Sequence, residues 1–261
     1  MQKITYTNSV NGLSCTFSND APLMYLESID GCSCGAQDII AKPLDYDGQR
    51  FISSSLNART VQFTAQFGGI LDGRYSRAEA MKRWQEIQRV FIPGQIGVLT
   101  WTDGTESRFI ECRAAEMPNF SQILPFLFRV SFSMTADYPY WQDSVENIVN
   151  YSASTLSAII TNDCGIAVPF IVEATPAADI LVIYNRTTDK GIAFANTVSE
   201  TIYIDTRECT VKTASGEYCN HLLTVDSEFF ELVPGDNDIA WLGTPSAATL
   251  TWRKAYMAIG G

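Results

Sequence analysis

The sequence predicts a mainly β protein of two domains, an antiparallel sheet core carrying one amphipathic helix and then a β-sandwich. Three observations predict it. Apolar and polar residues alternate with period two over several stretches, the spacing of half-buried strands. A single stretch, 76–91, repeats at helical spacing. Beyond residue 159, short strand-like runs and turn residues alternate regularly with no helical stretch between them. The length of 261 residues suits one or two domains. A composition of 46% hydrophobic and 18% charged residues excludes disorder over most of the chain.

Taken in order, segment 38–56 comes first. The polar stretch Asp45-Tyr46-Asp47-Gly48-Gln49-Arg50 and the run Ser53-Ser54-Ser55 interrupt weak strand signals, so it reads as a long protruding loop or hairpin. Tyr46, Phe51 and Leu56 would gain from burial against another chain and are the candidate oligomer-interface residues. Next, Val61, Phe63, Ala65 and Phe67 alternate with Gln62, Thr64 and Gln66. The same period recurs at Phe126, Phe128, Val130, Phe132 and Met134. Between them, 97–102 and 106–114 flank Asp103-Gly104, a dipeptide that supplies positive φ to a hairpin turn. Together these predict a four-strand antiparallel core.

Ser76 with Glu79 forms a capping-box pattern, and Ala80, Met81, Trp84, Ile87 and Phe91 follow at helical spacing until Pro93-Gly94. The Met81, Trp84, Ile87 and Phe91 stripe is read as the side that covers the sheet. Asp137-Tyr138-Pro139-Tyr140-Trp141 closes this half, so the domains are placed at 1–141 and 142–261, with polar 150–158 at the boundary. Eight short strands are then expected, at 168–173, 179–184, 201–204, 210–213, 222–225, 229–232, 239–241 and 249–253. Turns separate them at Asn162-Asp163, Asp189-Lys190-Gly191, Ser215-Gly216 and Pro234-Gly235-Asp236-Asn237.

Charge and chemistry narrow the function classes. The net charge is −11, which disfavours binding to a phosphate backbone. Residues 1–141 hold 12 basic and 14 acidic groups (−2), while 142–261 hold 6 and 15 (−9). No window is apolar enough to span a membrane, and the first residues lack the apolar run of a signal peptide, so no membrane insertion is expected. Seven cysteines, an odd number, suit free thiols. Cys32-Ser33-Cys34 could offer two thiolates to zinc, but no second ligand pair completes a site. His221 is the only histidine, and Cys219 two residues away would share its face on a strand. Glu228, Glu231, Asp236 and Asp238 are paired carboxylates without a visible cleft. Asp236-Asn237-Asp238 has oxygen donors for calcium but no complete ligand loop. The expectation is a structural or binding protein: no enzyme, no catalytic residue, no cofactor and no metal.

The ordered motifs resemble the distal tail proteins of long-tailed, non-contractile bacteriophages. They are Asn162-Asp163, Ile183-Tyr184-Asn185-Arg186-Thr187-Thr188 running to Gly191, Ile204-Asp205-Thr206, Asp226 through Leu232, and Val233-Pro234-Gly235-Asp236-Asn237. Asp45 through Gln49, Arg59 and the closure at 137–141 extend the likeness into the first half. Asp189 stands where the family more often has glycine. The resemblance implies a first domain similar to tail-tube subunits, an antiparallel β-sandwich or split barrel with one flanking helix, and a galectin-like jelly-roll sandwich after it. It also implies a homo-hexameric ring at the virion tail tip, assembled in the host bacterial cytoplasm. Such a ring would lie between the tail tube protein and a tail-associated hub or receptor-binding fibre protein, with DNA passing through the lumen without specific binding. A second reading, a carbohydrate-binding module, would use Trp241, Trp252 and Tyr256 as sugar-stacking rings.

Overall fold

The computed structural model describes residues 1–30, 34–41, 50–175, 180–243 and 245–259. The elements of the first half are β1 (Gln2–Asn8), β2 (Ser14–Ser18), β3 (Met24–Asp30), β4 (Ala36–Ala41), β5 (Arg50–Leu56), β6 (Arg59–Gly68), β7 (Ile70–Leu71), β8 (Arg74–Tyr75), α1 (Arg77–Val90), β9 (Ile96–Asp103), β10 (Glu106–Ala114), β11 (Asn119–Leu124), β12 (Leu127–Ala136) and β13 (Trp141–Asp143). Those of the second half are β14 (Asn147–Ser152), β15 (Ser157–Asn162), β16 (Phe170–Thr175), β17 (Val182–Asn185), β18 (Lys190–Ala193), β19 (Ile202–Asp205), β20 (Thr210–Thr213), β21 (Gly235–Leu242), β22 (Ala247–Trp252) and β23 (Ala255–Tyr256), with one 3-10 turn at Asn220–Leu222. The chain divides into one compact unit of Met1–Gln142 with the tail from Met257 onward, and a second of Asp143–Tyr256.

In the first unit the strands run β11-β12-β6-β3-β2-β1-β9-β10. β10 returns to pair with β12 at Arg113↔Thr135 and Ala114↔Met134, which closes the sheet into a barrel. The four predicted strands are therefore contiguous, in the order β6-β12-β10-β9. The barrel is split where β2 meets β3, a parallel contact with the single register pair Ser18↔Tyr25. Alternation puts Val61, Phe63, Ala65 and Phe67 on the same side as Phe128, Val130, Phe132 and Met134, all buried. Phe63 and Phe132 stack at 4.4 Å, with Phe17 5.3 Å and Phe91 4.3 Å from Phe132.

The helix starts where the pattern placed it. Ser76 is extended, at φ −134° and ψ 120°, and its Oγ accepts the Glu79 N–H at 3.3 Å. Only half of the capping box forms: the Glu79 carboxylate accepts from Lys82 at 2.6 Å, and the Ser76 N–H goes to the Gly69 carbonyl at 2.9 Å. Gly69 permits that approach, since a Cβ there would lie 2.2 Å from the Ala80 nitrogen. The side of α1 that meets the sheet carries Ala80, Ile87, Val90 and the cap residue Phe91. Trp84 and Met81 are half-buried at its margin, with Trp84 stacked on Phe67 at 5.7 Å and edge-on to Phe120 at 4.7 Å.

The tail after Tyr256 groups with the first unit rather than with the sandwich. Arg59, fully buried, donates from Nη2 to the Met257 carbonyl at 2.7 Å, and Arg108 donates from Nη1 to the Ala258 carbonyl at 2.8 Å. Charge-assisted bonds of this kind hold main chain that has no strand partner of its own. Removing residues 257–261 is expected to destabilise the first domain by about 1–3 kcal/mol, because a buried guanidinium loses an acceptor. Hydrogen exchange in β6 and β9, faster in the truncated chain, checks this; unchanged protection would show that the tail bears no load.

The second unit is a two-layer sandwich, β14-β22-β16-β19-β20 against β15-β21-β17-β18. Phe170, Val172, Ile202, Ile204, Val211 and Leu250 of the larger sheet, and Ile160, Ile183, Ile192, Ile239 and Trp241 of the smaller, are buried. Four strands go beyond the sequence reading: β14, β15, β18 and the two-residue β23. The expected strands at 222–225 and 229–232 reduce to isolated bridges, Phe194↔Leu223 and Val168↔Leu232, and the stretch expected to hold no helical turn holds the 3-10 turn. β15 and β18 end the smaller sheet and β14 one side of the larger, where only one neighbour is present and polar residues are tolerated. The turn expected at 189–191 lies at 186–189, and Lys190 and Gly191 already belong to β18. Asp189 adopts φ 59°, the left-handed conformation that suits the glycine more usual there, and its carboxylate accepts from the Tyr184 hydroxyl.

Candidate assembly surface

The segment read as a protruding loop or hairpin is a two-stranded ribbon. β4 and β5 pair with each other and belong to no larger sheet. A bulge between Ile39 and Ile40 leaves Ile52 without an opposite residue. Ile39, Ile40, Phe51 and Ile52 are 47–60% exposed. Alternation sends Ile39 and Ile40 to opposite sides, so both faces of the ribbon are apolar. An isolated hairpin is marginally stable at best in water, and exposed β-branched pairs on one cost solubility.

Of the interface residues chosen from sequence, Phe51 is on this surface and Leu56 is half-buried opposite Ala36. Tyr46 lies outside the described residues. Ile39, Ile40 and Ile52 were missed, although the Ile-Ile and Phe-Ile pairs within an otherwise polar stretch were a usable signal.

The proposed chemistry at other residues is not assembled by the fold. Trp241, on β21, is 3% exposed and edge-on to Tyr151 at 6.3 Å, so its ring is closed to a stacking sugar. Trp252 is half-buried on β22, in the other sheet, and Tyr256 is half-buried on β23 with its hydroxyl 3.4 Å from Asp143. The three rings do not form one platform. His221 sits exposed on the 3-10 turn while Cys219 is buried, which corrects the shared strand face. Asp236 accepts from Thr161 at 2.7 Å, Asp238 accepts from Arg186 at 3.3 Å, and Asn237 points inward, so these oxygens do not converge on a cation. Among the described residues no group of three or more metal-ligating side chains comes together, and no helix is long and apolar enough to cross a membrane.

Cys32 and Ser33 lie outside the described residues. Burial pushes the thiols of Cys15 and Cys112 up to about 12, which keeps them protonated and inert. A thiol reagent at mildly alkaline pH is expected to reach exposed Cys209 and partly exposed Cys34 in the native protein, and Cys15 and Cys112 only on unfolding. Mass spectrometry of labelled peptides checks the order; early labelling of Cys112 would contradict the closed barrel.

The motif residues of the second domain have structural tasks. Asn162, Asn185 and Asn237 are buried. Asn162 donates to the carbonyls of Ile166 at 2.9 Å and Leu232 at 2.8 Å and accepts the Cys164 N–H at 3.0 Å. Asn185 donates to Asn237 Oδ1 at 3.1 Å and accepts the Thr187 N–H at 2.9 Å. Thr206 Oγ1 accepts the Phe170 N–H at 2.9 Å and donates to the Phe170 carbonyl at 3.0 Å. Each side chain satisfies main-chain groups where a strand gives way to a turn.

Known proteins share this fold. Residues 163–256 match the siphovirus-type tail component, C-terminal domain. The structure is similar to that of the SPP1 Dit (gp 19.1) protein, described as a paradigm of hub adsorption apparatus in Gram-positive infecting phages. The TM-score is 0.72 at 15% identity, over 97% of this chain and 99% of that one. Chains of the phage P2 baseplate in its activated conformation are similar at 9% identity, with TM-scores of 0.55 for the form with Ca and 0.57 for the form with Sr. Both cover 99% of this chain and 100% of theirs. No curated protein sequence matches the chain. Residues 163–256 are thus similar to the siphovirus-type tail component, C-terminal domain, and the chain as a whole has the fold of the SPP1 Dit protein.

Proposed function

We propose that the chain is the distal hub of the tail, six copies closing into a ring through their first domains. The ring joins the tail tube protein to a hub, fibre or receptor-binding protein and lets DNA pass through its lumen without specific binding. It assembles in the host bacterial cytoplasm before it joins the virion. The observation that carries the ring is the β4–β5 ribbon, whose Ile39, Ile40, Phe51 and Ile52 are left uncovered by their own domain. Full burial of each against a neighbour would contribute roughly 1.5–3 kcal/mol. The charge split supports the same assignment. A first domain near neutrality approaches its copies without penalty, whereas sandwiches at −9 repel within a Debye length of about 8 Å. The sandwich then offers docking surface.

Mass photometry and negative-stain micrographs of the full chain test this. The expected species has six times the 28.9 kDa chain mass and a central hole. Changing Ile39, Ile40, Phe51 and Ile52 together to Ser is expected to release folded monomers. A monomeric wild-type chain at high concentration, or a variant that keeps the same ring, would sink the reading.

A further inference from the structure

The second domain has a cleft of about 420 Å³ whose lining includes Thr188, Lys190, Arg207, Phe229, Phe230 and Glu231. Its walls come from the β17–β18 turn, from the residue pair following β19 and from the segment between the two isolated bridges. Phe230 is buried and lies 5.1 Å from Phe170, which ties the floor to the core, while Phe229 stays partly exposed. The size is that of a small-ligand site.

The chemistry of the lining selects among ligands. A purely apolar ligand would strand two cations, a carboxylate and a hydroxyl. An anion is disfavoured, since Lys190 already faces Glu228 at 3.2 Å and Arg207 faces Glu208 at 3.7 Å, in a half of the chain that carries −9. A cation would meet Lys190 and Arg207. What fits is a neutral molecule with many hydroxyls and one apolar face. Each hydroxyl both donates and accepts, so a mixed set of guanidinium, ammonium, carboxylate and threonine partners satisfies it. An aromatic ring takes the C–H face. Thr188 Oγ1 is closed to water and has no hydrogen-bond partner, so a χ1 rotation toward the cleft would give it a seated hydroxyl as partner.

We propose that this cleft binds a neutral saccharide unit, with Phe229 against its C–H face and Lys190, Arg207, Glu231 and Thr188 on its hydroxyls. The site is separate from Trp241, Trp252 and Tyr256, and it does not depend on the ring.

Saturation-transfer NMR and calorimetry on the full chain, with the methyl glycosides of glucose, galactose and N-acetylglucosamine as probes, test the proposal. At least one glycoside is expected to saturate the protein in the millimolar range. Arg207→Met and Glu231→Gln are each expected to weaken it by about tenfold, the scale of one lost charge-assisted hydrogen bond. Thr188→Val replaces either variant if that variant fails to fold by circular dichroism. Absence of binding by all three glycosides, affinity unchanged in the folded variants, or competition by citrate at equal concentration would overturn it. Light scattering on the same samples reads the oligomer independently, so loss of the ring with sugar binding intact, or the reverse, separates the two proposals.

Discussion

Asn237→Leu is expected to cost the second domain about 4 kcal/mol, because a fully buried amide there satisfies groups from three segments at once. Its Oδ1 accepts the Val233 N–H at 3.0 Å and the Asn185 amide at 3.1 Å. Its Nδ2 donates to the carbonyls of Val233 at 2.8 Å, Gly235 at 3.0 Å and Ile160 at 3.4 Å. Leucine matches the volume but takes the partner from the buried Asn185 amide and Ile160 carbonyl and from the part-buried Val233 and Gly235 groups, and each group left closed to water costs about 1–3 kcal/mol. Hydrogen exchange should rise most in β15, β17 and β21, which the network joins. Asp226→Asn, on exposed chain, should stay within about 0.5 kcal/mol and serves as control. A loss below 1 kcal/mol for Asn237→Leu would mean that water replaces the amide and that the network is peripheral.

Phe63→Ala should have a comparable effect in the first domain. The ring is buried on β6 and touches aromatic partners from three other places: Phe132 on β12 at 4.4 Å, Phe17 on β2 at 6.1 Å and Phe91 at the end of α1 at 6.2 Å. Truncating a core phenylalanine typically costs 3–5 kcal/mol, about 0.5–1.5 kcal/mol of it from ring geometry for each lost pair. Urea unfolding of the full chain, followed by exchange in β6 and β12, reads the loss. If the midpoint is unchanged, the barrel interior repacks around the gap and the cluster does not hold the closure. Because the cluster spans the split between β2 and β3, the variant should also loosen the barrel at that seam first.

The β-rich class, the single helix and the inward faces of β6 and β12 were legible because each rests on local periodicity. Phe63 and Phe132 alternate with polar neighbours whichever strands flank them, and Ser76 caps α1 through a contact three residues away. The ordered motifs were also legible, and they carried the resemblance to distal tail proteins although none of them forms a reactive site. Asn162, Asn185 and Asn237 recur for what they do to the main chain at strand ends.

Other features depended on distant partners. Period two states that two faces differ but not which one meets a second sheet, so Trp241 could be read as outward until β21 took its place in the sandwich. His221 could be placed on a strand because nothing local excludes one, yet the Phe194↔Leu223 bridge leaves room only for a turn. Arg59 stands at the start of β6, and the return of the chain at Met257, far away in sequence, gives its buried charge a main-chain acceptor. The apolar character of Ile39, Ile40 and Ile52 is a property of the sequence by itself. That they stay uncovered is a property of the tertiary structure, because exposure depends on whether any other part of the fold packs over the ribbon.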